Sequence, residues 1–213
     1  MAAMRILLIR HGETPLNVAR VLQPMDTPLS IRGVEQATAL ARRLMRIQVA
    51  AVMSSDLPRA RHTAELISAA SGAPLEVNEL LRERNFGGWR GLAYDRLPEN
   101  PLTMTDAPPH GESLAAFELR IAHAFACIVR RAAKFEAEGG TALAVVTHGL
   151  VIQEMLKTYI QLPAGAEMPM HLGNTSLTIF AARPPHKASL VNGTGHLDVP
   201  GGARDDPNAL SGG

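Results

Sequence analysis

Two short segments of the 213-residue chain end alike. Leu8-Ile9-Arg10-His11-Gly12 and Val145-Val146-Thr147-His148-Gly149 each pass from aliphatic residues into a histidine followed by glycine. Aliphatic runs of this length read as buried strands. In a parallel sheet such strands deliver the residues that follow them to one edge, where α/β proteins place their chemistry. Two imidazoles and the guanidinium of Arg10 would then meet. An imidazole can serve as nucleophile, acid or base, and a guanidinium presents a planar fork of donors to phosphate oxygens. One histidine after a strand is more often a turn or core residue. Two in matched contexts raise the odds of a shared site without fixing its chemistry.

Positioning those residues is the task of the surrounding elements. Arg5 to Arg10 reads as the first strand, breaking at the turn signal Gly12 to Pro15. Ser30 can cap a helix to about Ile47 whose apolar face is Val34, Ala37, Leu40, Ala41 and Leu44. A strand over Ala50–Met53 follows. Ser55 or Asp56 can cap the next helix, with Pro58 in its first turn and Gly72 as its left-handed stop. Leu75–Asn78 is a short strand. The stretch from Leu80 to Gly111, rich in Gly, Pro, Asn and Arg, reads as a long irregular insertion. Beyond it come a helix from about Ser113 to Glu138, a strand over Thr141–Thr147 and a helix from about Leu150 to Ile160. Two last strands, Leu177–Ala182 and Ala188–Val191, flank a Pro184-Pro185 turn. This alternation predicts a three-layer α/β/α sandwich with a mostly parallel central sheet and a loop/helix insertion, about 84–112, over the active site.

Composition bounds the function. With 21 basic and 20 acidic residues the net charge is +1, so a nucleic-acid partner, which needs a basic stripe, is not expected. A single cysteine, Cys127, excludes an internal disulfide and a thiolate-rich metal centre. No apolar run approaches the roughly 18–20 residues that cross a bilayer. The opening apolar stretch, Ile6 to Ile9, is too short for a signal-peptide core, so a cytoplasmic protein without a membrane partner is expected. Residues 1–192 are expected to form one domain. The stretch 193–213 is expected to be an extended or mobile tail without a role.

Arg10-His11-Gly12-Glu13-Thr14 resembles the signature of the histidine phosphatase superfamily, also called phosphoglycerate-mutase-like: R-H-G, then E or Q, then T or S. Three further segments match in order. Ser55-Asp56-Leu57-Pro58-Arg59-Ala60-Arg61-His62-Thr63-Ala64 resembles S-D-L-x-R-A-x-x-T-A. Leu81-Arg82-Glu83-Arg84-Asn85-Phe86-Gly87-Gly88-Trp89 resembles L-x-E-x-x-F-G-x-W. Val145 to Gly149 resembles a strand ending in S/T-H-G. The likeness spans about Met4 to Asn192.

The resemblance implies His11 as a nucleophile toward phosphorus, Glu83 as general acid and then base, and His148 as a donor to the phosphoryl oxygens. It implies Arg10, Arg59, Asn17 and Gln23 as phosphate contacts, with no metal and no cofactor. Arg61 is left as a surface residue. A carboxyl that donates and then accepts a proton needs a pKa raised toward neutrality. Arg82, Arg84 and Arg90 would lower it by pointing inward, so they are expected to point away. The implied reaction is hydrolysis of a small phosphorylated metabolite through a phosphohistidine. The insertion lacks the paired arginines of the mutases, and Gly111-Glu112-Ser113 resembles the phosphatase branch. Two alternatives stay open: a phosphoglycerate-mutase-type transfer, with Arg90 or Arg96 holding an acidic substrate, and an inactive phospho-ligand binder. A homodimer is possible.

Three positions depart from the family pattern. Gln23 is followed by Pro24 in place of glycine, which removes an N–H donor. Trp89-Arg90-Gly91 replaces W-E-G, and His110 precedes Gly111. Asn174-Thr175-Ser176, where some relatives touch phosphate, reads as a turn. His62, His110, His123, His171, His186 and His196 read as residues without a chemical role.

Overall fold

The computed structural model describes residues 3–101 and 103–197. Strands β1 (Arg5–Arg10), β2 (Val49–Ser54), β3 (Leu75–Val77), β4 (Ala142–Thr147), β5 (Leu177–Ala181) and β6 (Ala188–Gly193) form one sheet in the order β3-β2-β4-β1-β5-β6. The first four pair in parallel. β5 runs antiparallel to β1, and β6 antiparallel to β5. The helices are α1 (Pro15–Val18), α2 (Ile31–Leu44), α3 (Pro58–Ser71), α4 (Leu114–Ala137) and α5 (Gly149–Thr158). The α/β sandwich expected from the alternation is the fold observed. Among the described residues no helix is long and apolar enough to cross a membrane.

Side-chain alternation sorts the layers. Ile6 and Leu8 of β1 join Leu143 and Val145 of β4 on the face covered by α4 and α5. Leu7 and Ile9 join Ala142, Ala144 and Val146 on the face covered by α2 and α3. Every residue of β4 is buried, which explains its continuous apolar run in place of polar alternation. Ser30 and Ser113 cap α2 and α4, accepting from Gly33 N at 3.0 Å and Ala116 N at 3.2 Å. Gly72, at φ 71°, ends α3.

The expected cap of α3 is not formed. Its N-cap is Leu57, which makes no side-chain bond. Both expected residues have other partners: Asp56 is salt-bridged to Arg82, and Ser55 faces His148. The insertion is irregular, as its composition suggests, and among its described residues regular structure is limited to the 3₁₀ turns Gly87–Trp89 and Tyr94–Arg96. Two arginines organise it. Arg84 is buried and donates to the carbonyls of Met104 (3.1 Å) and Glu112 (3.2 Å). Arg120 of α4 donates to the carbonyls of Leu80 and Arg82, both at 2.8 Å, and forks onto Glu112. A backbone ladder ties the insertion to the loop after α1: Gly91 N–H to Leu22 O at 2.7 Å, and Tyr94 N–H to Arg20 O at 2.9 Å.

Gly193 to Leu197, expected to belong to a tail, are placed against the domain. Gly193 closes β6, and His196 bonds to Thr175. The rest of the expected tail, 198–213, lies outside the described residues.

Gly12 is glycine for a reason other than an unusual φ. A Cβ there would stand 2.5 Å from Gly33 O, and one on Gly33 would collide with the Glu13 carbonyl. Two glycines let α2 lie directly on the loop after β1. Gly33→Ala should therefore destabilise the fold by about 1–3 kcal/mol through overpacking, despite alanine's better helix propensity. Urea unfolding measures this, and an alanine variant of wild-type stability would show that the contact yields freely.

Candidate active site

Strand register brings the two histidines together. Arg10 pairs with Thr147, so the next residue of each strand emerges at the same level. His11 N–H donates to Thr147 O at 3.0 Å, and the imidazole centroids lie 5.2 Å apart. Both rings are buried.

The His11 ring has a defined tautomer. Its Nδ1 lies 2.7 Å from Gly12 O, an acceptor only, so Nδ1 carries the proton and Nε2 keeps its lone pair. Burial, with Arg59 and Arg10 nearby, holds its pKa well below the ordinary histidine value. The ring thus stays neutral and nucleophilic. The loop behind it is fixed by Gly12 N–H donating to Thr63 Oγ1 at 3.1 Å.

His148 is arranged differently. Its Nε2 lies 2.9 Å from Ser55 Oγ, which also accepts from Leu57 N–H at 3.2 Å. The hydroxyl, with one proton and two lone pairs, can donate to Nε2 while it accepts from Leu57 N–H, and in that arrangement Nδ1 is the protonated donor. Nδ1 is buried without a partner. Burial and Arg59 depress the His148 pKa too, so the ring is a neutral donor.

Arg10 and Arg59 supply the fixed charge. Arg10 Nη1 donates to Leu172 O, and Arg59 Nη1 donates to Pro24 O at 3.3 Å. The Nε of each is buried without a partner. Burial pushes Arg59 down to about 10, against the attraction of Glu83. Burial lowers Arg10 as well. Leaving a buried polar donor unpaired costs about 1–3 kcal/mol, and more when it is charged. Three such donors around one histidine lone pair are the mark of a place built for an anion.

Glu83 faces this place from the turn after β3. Its Oε1 accepts from Arg84 N–H at 3.0 Å and its Oε2 from Leu150 N–H, at the start of α5, at 3.2 Å. A side chain at Gly149 would touch both Arg10 Nε, at 3.7 Å, and Glu83 Oε2, at 3.9 Å, so the two groups flank that glycine. Burial raises the Glu83 pKa; the two N–H donors, Arg59 and Arg10 oppose the rise without cancelling it. No arginine side chain of its own segment touches its carboxylate. Arg82 pairs with Asp56 and Glu79, and Arg90 donates to Asn85 Oδ1 at 2.6 Å. Arg84 points away as expected, but into the insertion's interior and not into solvent.

The two weaker phosphate candidates sit beside the loop. Asn17 Oδ1 accepts from Thr14 N–H at 3.1 Å in a capping box, so only its Nδ2 remains to donate outward. Gln23 Oε1 accepts from Thr14 Oγ1 at 3.0 Å. Pro24 removes an N–H, as expected, but its carbonyl anchors Arg59. Arg61 makes an exposed pair with Glu65, and His110 is exposed on the insertion. Sequence reasoning missed the roles of Ser55, Thr63 and Arg120. Asn174 sits in the turn expected, closed by Ser176 N–H donating to Gly173 O at 3.1 Å, and its Nδ2 also donates to His11 O at 3.3 Å and to Asn17 Oδ1 at 3.2 Å, contacts that sequence reasoning did not foresee. Among the described residues no group of three or more His, Cys, Asp or Glu could hold a metal ion.

Fold and site together define a phosphoryl-handling enzyme of the α/β class. The chain belongs to the histidine phosphatase superfamily (branch 1), whose sequence profile matches residues 6–191. It is 32% identical to the probable phosphoglycerate mutase GpmB of Yersinia pestis, over 92% of this chain and 96% of that protein. It resembles the structure of a mycobacterial glucosyl-3-phosphoglycerate phosphatase (TM-score 0.71, 30% identity, 84% of this chain and 91% of that one). It also resembles the alpha-ribazole phosphatase of Shigella flexneri (TM-score 0.74, 26% identity, 90% and 97%).

The raised Glu83 pKa has a consequence for stability. A carboxyl whose folded pKa lies above its unfolded value favours the fold while protonated. That contribution is full below the unfolded pKa and is lost as pH rises through the folded one. Glu83→Gln imitates the protonated form. It should raise the melting temperature at neutral pH and leave it unchanged below about pH 4. An equal shift at both pH values would show that ionisation is not the cause.

Proposed function

We propose that this chain is a metal-independent phosphomonoesterase that works through a phosphohistidine on a small phosphorylated metabolite. The observation that carries this reading is the group of unpartnered buried donors, Arg10 Nε, Arg59 Nε and His148 Nδ1, around the free lone pair of His11 Nε2. A phosphoryl group passing between two oxygens, or between oxygen and nitrogen, spreads charge over its remaining oxygens. Catalysis then consists mostly of aiming fixed donors at them.

In the first step His11 Nε2 attacks phosphorus. The P–O bond to the alcohol breaks, and Glu83, whose protonated fraction is enlarged by the burial that raises its pKa, delivers its proton to the leaving oxygen. In the second step the Glu83 carboxylate takes a proton from water as the water oxygen attacks phosphorus. The P–N bond breaks, inorganic phosphate leaves, and His11 regains its lone pair. Arg10, Arg59 and His148 hold the phosphoryl oxygens throughout, with Asn17 and Gln23 at the rim.

Hydrolysis is favoured over transfer by the insertion. Two of its three arginines are engaged elsewhere, Arg84 on backbone carbonyls and Arg90 on Asn85, which leaves the exposed Arg96 without an arginine of the insertion to share a second anion site. The purified protein should therefore hydrolyse p-nitrophenyl phosphate in the presence of a chelator. Interconversion of 2- and 3-phosphoglycerate with a bisphosphate primer would favour the mutase alternative instead.

Two variants test the mechanism. His11→Ala should abolish turnover while circular dichroism shows an intact fold; near-wild-type activity would overturn the nucleophile assignment. Glu83→Gln should still be phosphorylated by p-nitrophenyl phosphate, whose leaving group needs little protonation. It should give a burst of p-nitrophenolate stoichiometric with enzyme, then a steady rate about 10²-fold below wild type as hydrolysis stalls. An unchanged steady rate would remove Glu83 as the base.

A further inference from the structure

The segment from Leu172 to Ser176 forms the back wall of the site. Leu172 O accepts from Arg10 Nη1, and Ser176 O accepts from Arg10 N–H at 3.2 Å. Between them, Thr175 N–H (3.2 Å) and Asn174 Nδ2 (3.3 Å) both donate to His11 O. That carbonyl belongs to the peptide joining His11 to Gly12. It is the peptide plane directly before Gly12 O, the acceptor that fixes the His11 ring, so holding it holds one end of the Gly12 backbone.

Thr175 holds an unfavourable backbone. It is fully buried at φ +55°, in the left-handed region, where a β-branched residue is an outlier. Such a conformation persists only where its surroundings over-determine it. One determinant is its own Oγ1, which donates to Asn174 O at 2.7 Å. That spends the hydroxyl proton, so the 2.9 Å contact with His196 runs from His196 Nε2–H to Thr175 Oγ1. A second link comes from the end of β6. Asn192 Oδ1 accepts from Gly173 N–H at 2.9 Å, and Asn192 Nδ2 donates to His171 O at 3.0 Å.

We propose that Asn192 and His196 are positioning residues for the nucleophile. They lock Gly173 and the strained Thr175, and through Thr175 and Asn174 they set the carbonyl of His11 and the aim of its imidazole. The end of β6 and the stretch after it thus act as a bolt behind the loop that carries His11. The proposal rests on the phosphohistidine reading for its kinetic test, and a second readout is independent of it.

The experiment uses the full chain with His196→Ala, His196→Gln and Asn192→Gly, the last keeping the left-handed backbone of Asn192 (φ +54°) without its amide. Turnover of p-nitrophenyl phosphate, thermal stability and the ¹⁵N-resolved imidazole signals of His11 are measured. His196→Ala and Asn192→Gly should each lose on the order of tenfold in kcat with little change in KM, as a slightly misaimed reacting group does. His196→Gln, whose amide can donate to Thr175, should recover most of the loss. The His11 signals should report mixed tautomers in the alanine variant and a single one in wild type and the glutamine variant. Wild-type kcat and an unchanged His11 signal in both damaged variants would overturn the proposal. So would losses that follow the unfolded fraction, with glutamine no better than alanine. If wild-type protein itself shows no turnover, the phosphohistidine reading fails, and the tautomer signals still decide whether the bolt exists.

Discussion

The site depends on the parallel pairing of β1 with β4. Because Arg10 stands opposite Thr147, the two strands release His11 and His148 at one level, with their rings in contact distance. Slipping that register by one residue would exchange the two buried faces, so that side chains packed to fit one layer would have to fill the other, since successive side chains point to opposite layers. The register is therefore held by the whole core, by Ile6, Leu8, Leu143 and Val145 on one face and Leu7, Ile9, Ala144 and Val146 on the other. The geometry of two catalytic-site side chains is in this sense a product of sheet packing.

The second requirement is to keep a carboxyl unpaired among arginines. Arg82, Arg84, Arg90 and Arg120 all lie near Glu83 in sequence or space, and each is given other work. Arg82 is bound to Asp56, Arg84 to carbonyls of the insertion, Arg90 to Asn85, and Arg120 to Glu112 and the turn's own carbonyls. Pairing any one of their guanidinium groups with Glu83 would hold it ionised. These contacts thus keep the guanidinium groups of the surrounding arginines off the carboxylate of Glu83.

Much of this was legible in the sequence. Aliphatic runs located β1 and β4, the cap Ser30 located the start of α2, and four ordered motifs located His11, Arg59, Glu83 and His148. What stayed hidden had no local signature. Ser55 looks like a helix cap, and only the fold shows it turned toward His148. Gly12 looks like a residue chosen for its φ, and only the packing of Gly33 against it shows a close approach. Asn174, Thr175 and His196 are distant in sequence from His11. Nothing in the order of residues reveals that β5, antiparallel beside β1, follows directly on Asn174 and Thr175 there, or that β6, antiparallel beside β5, returns the chain to place His196 against Thr175.

On the phosphatase reading proposed above, the unpartnered donors would also tie the protein's stability to its product. Inorganic phosphate carries the same oxygens as a phosphomonoester, and the pocket of Arg10, Arg59 and His148 exists only in the folded chain. By mass action a ligand of that kind adds to stability with its concentration. A pocket of this sort would harden the protein as phosphate accumulates around it.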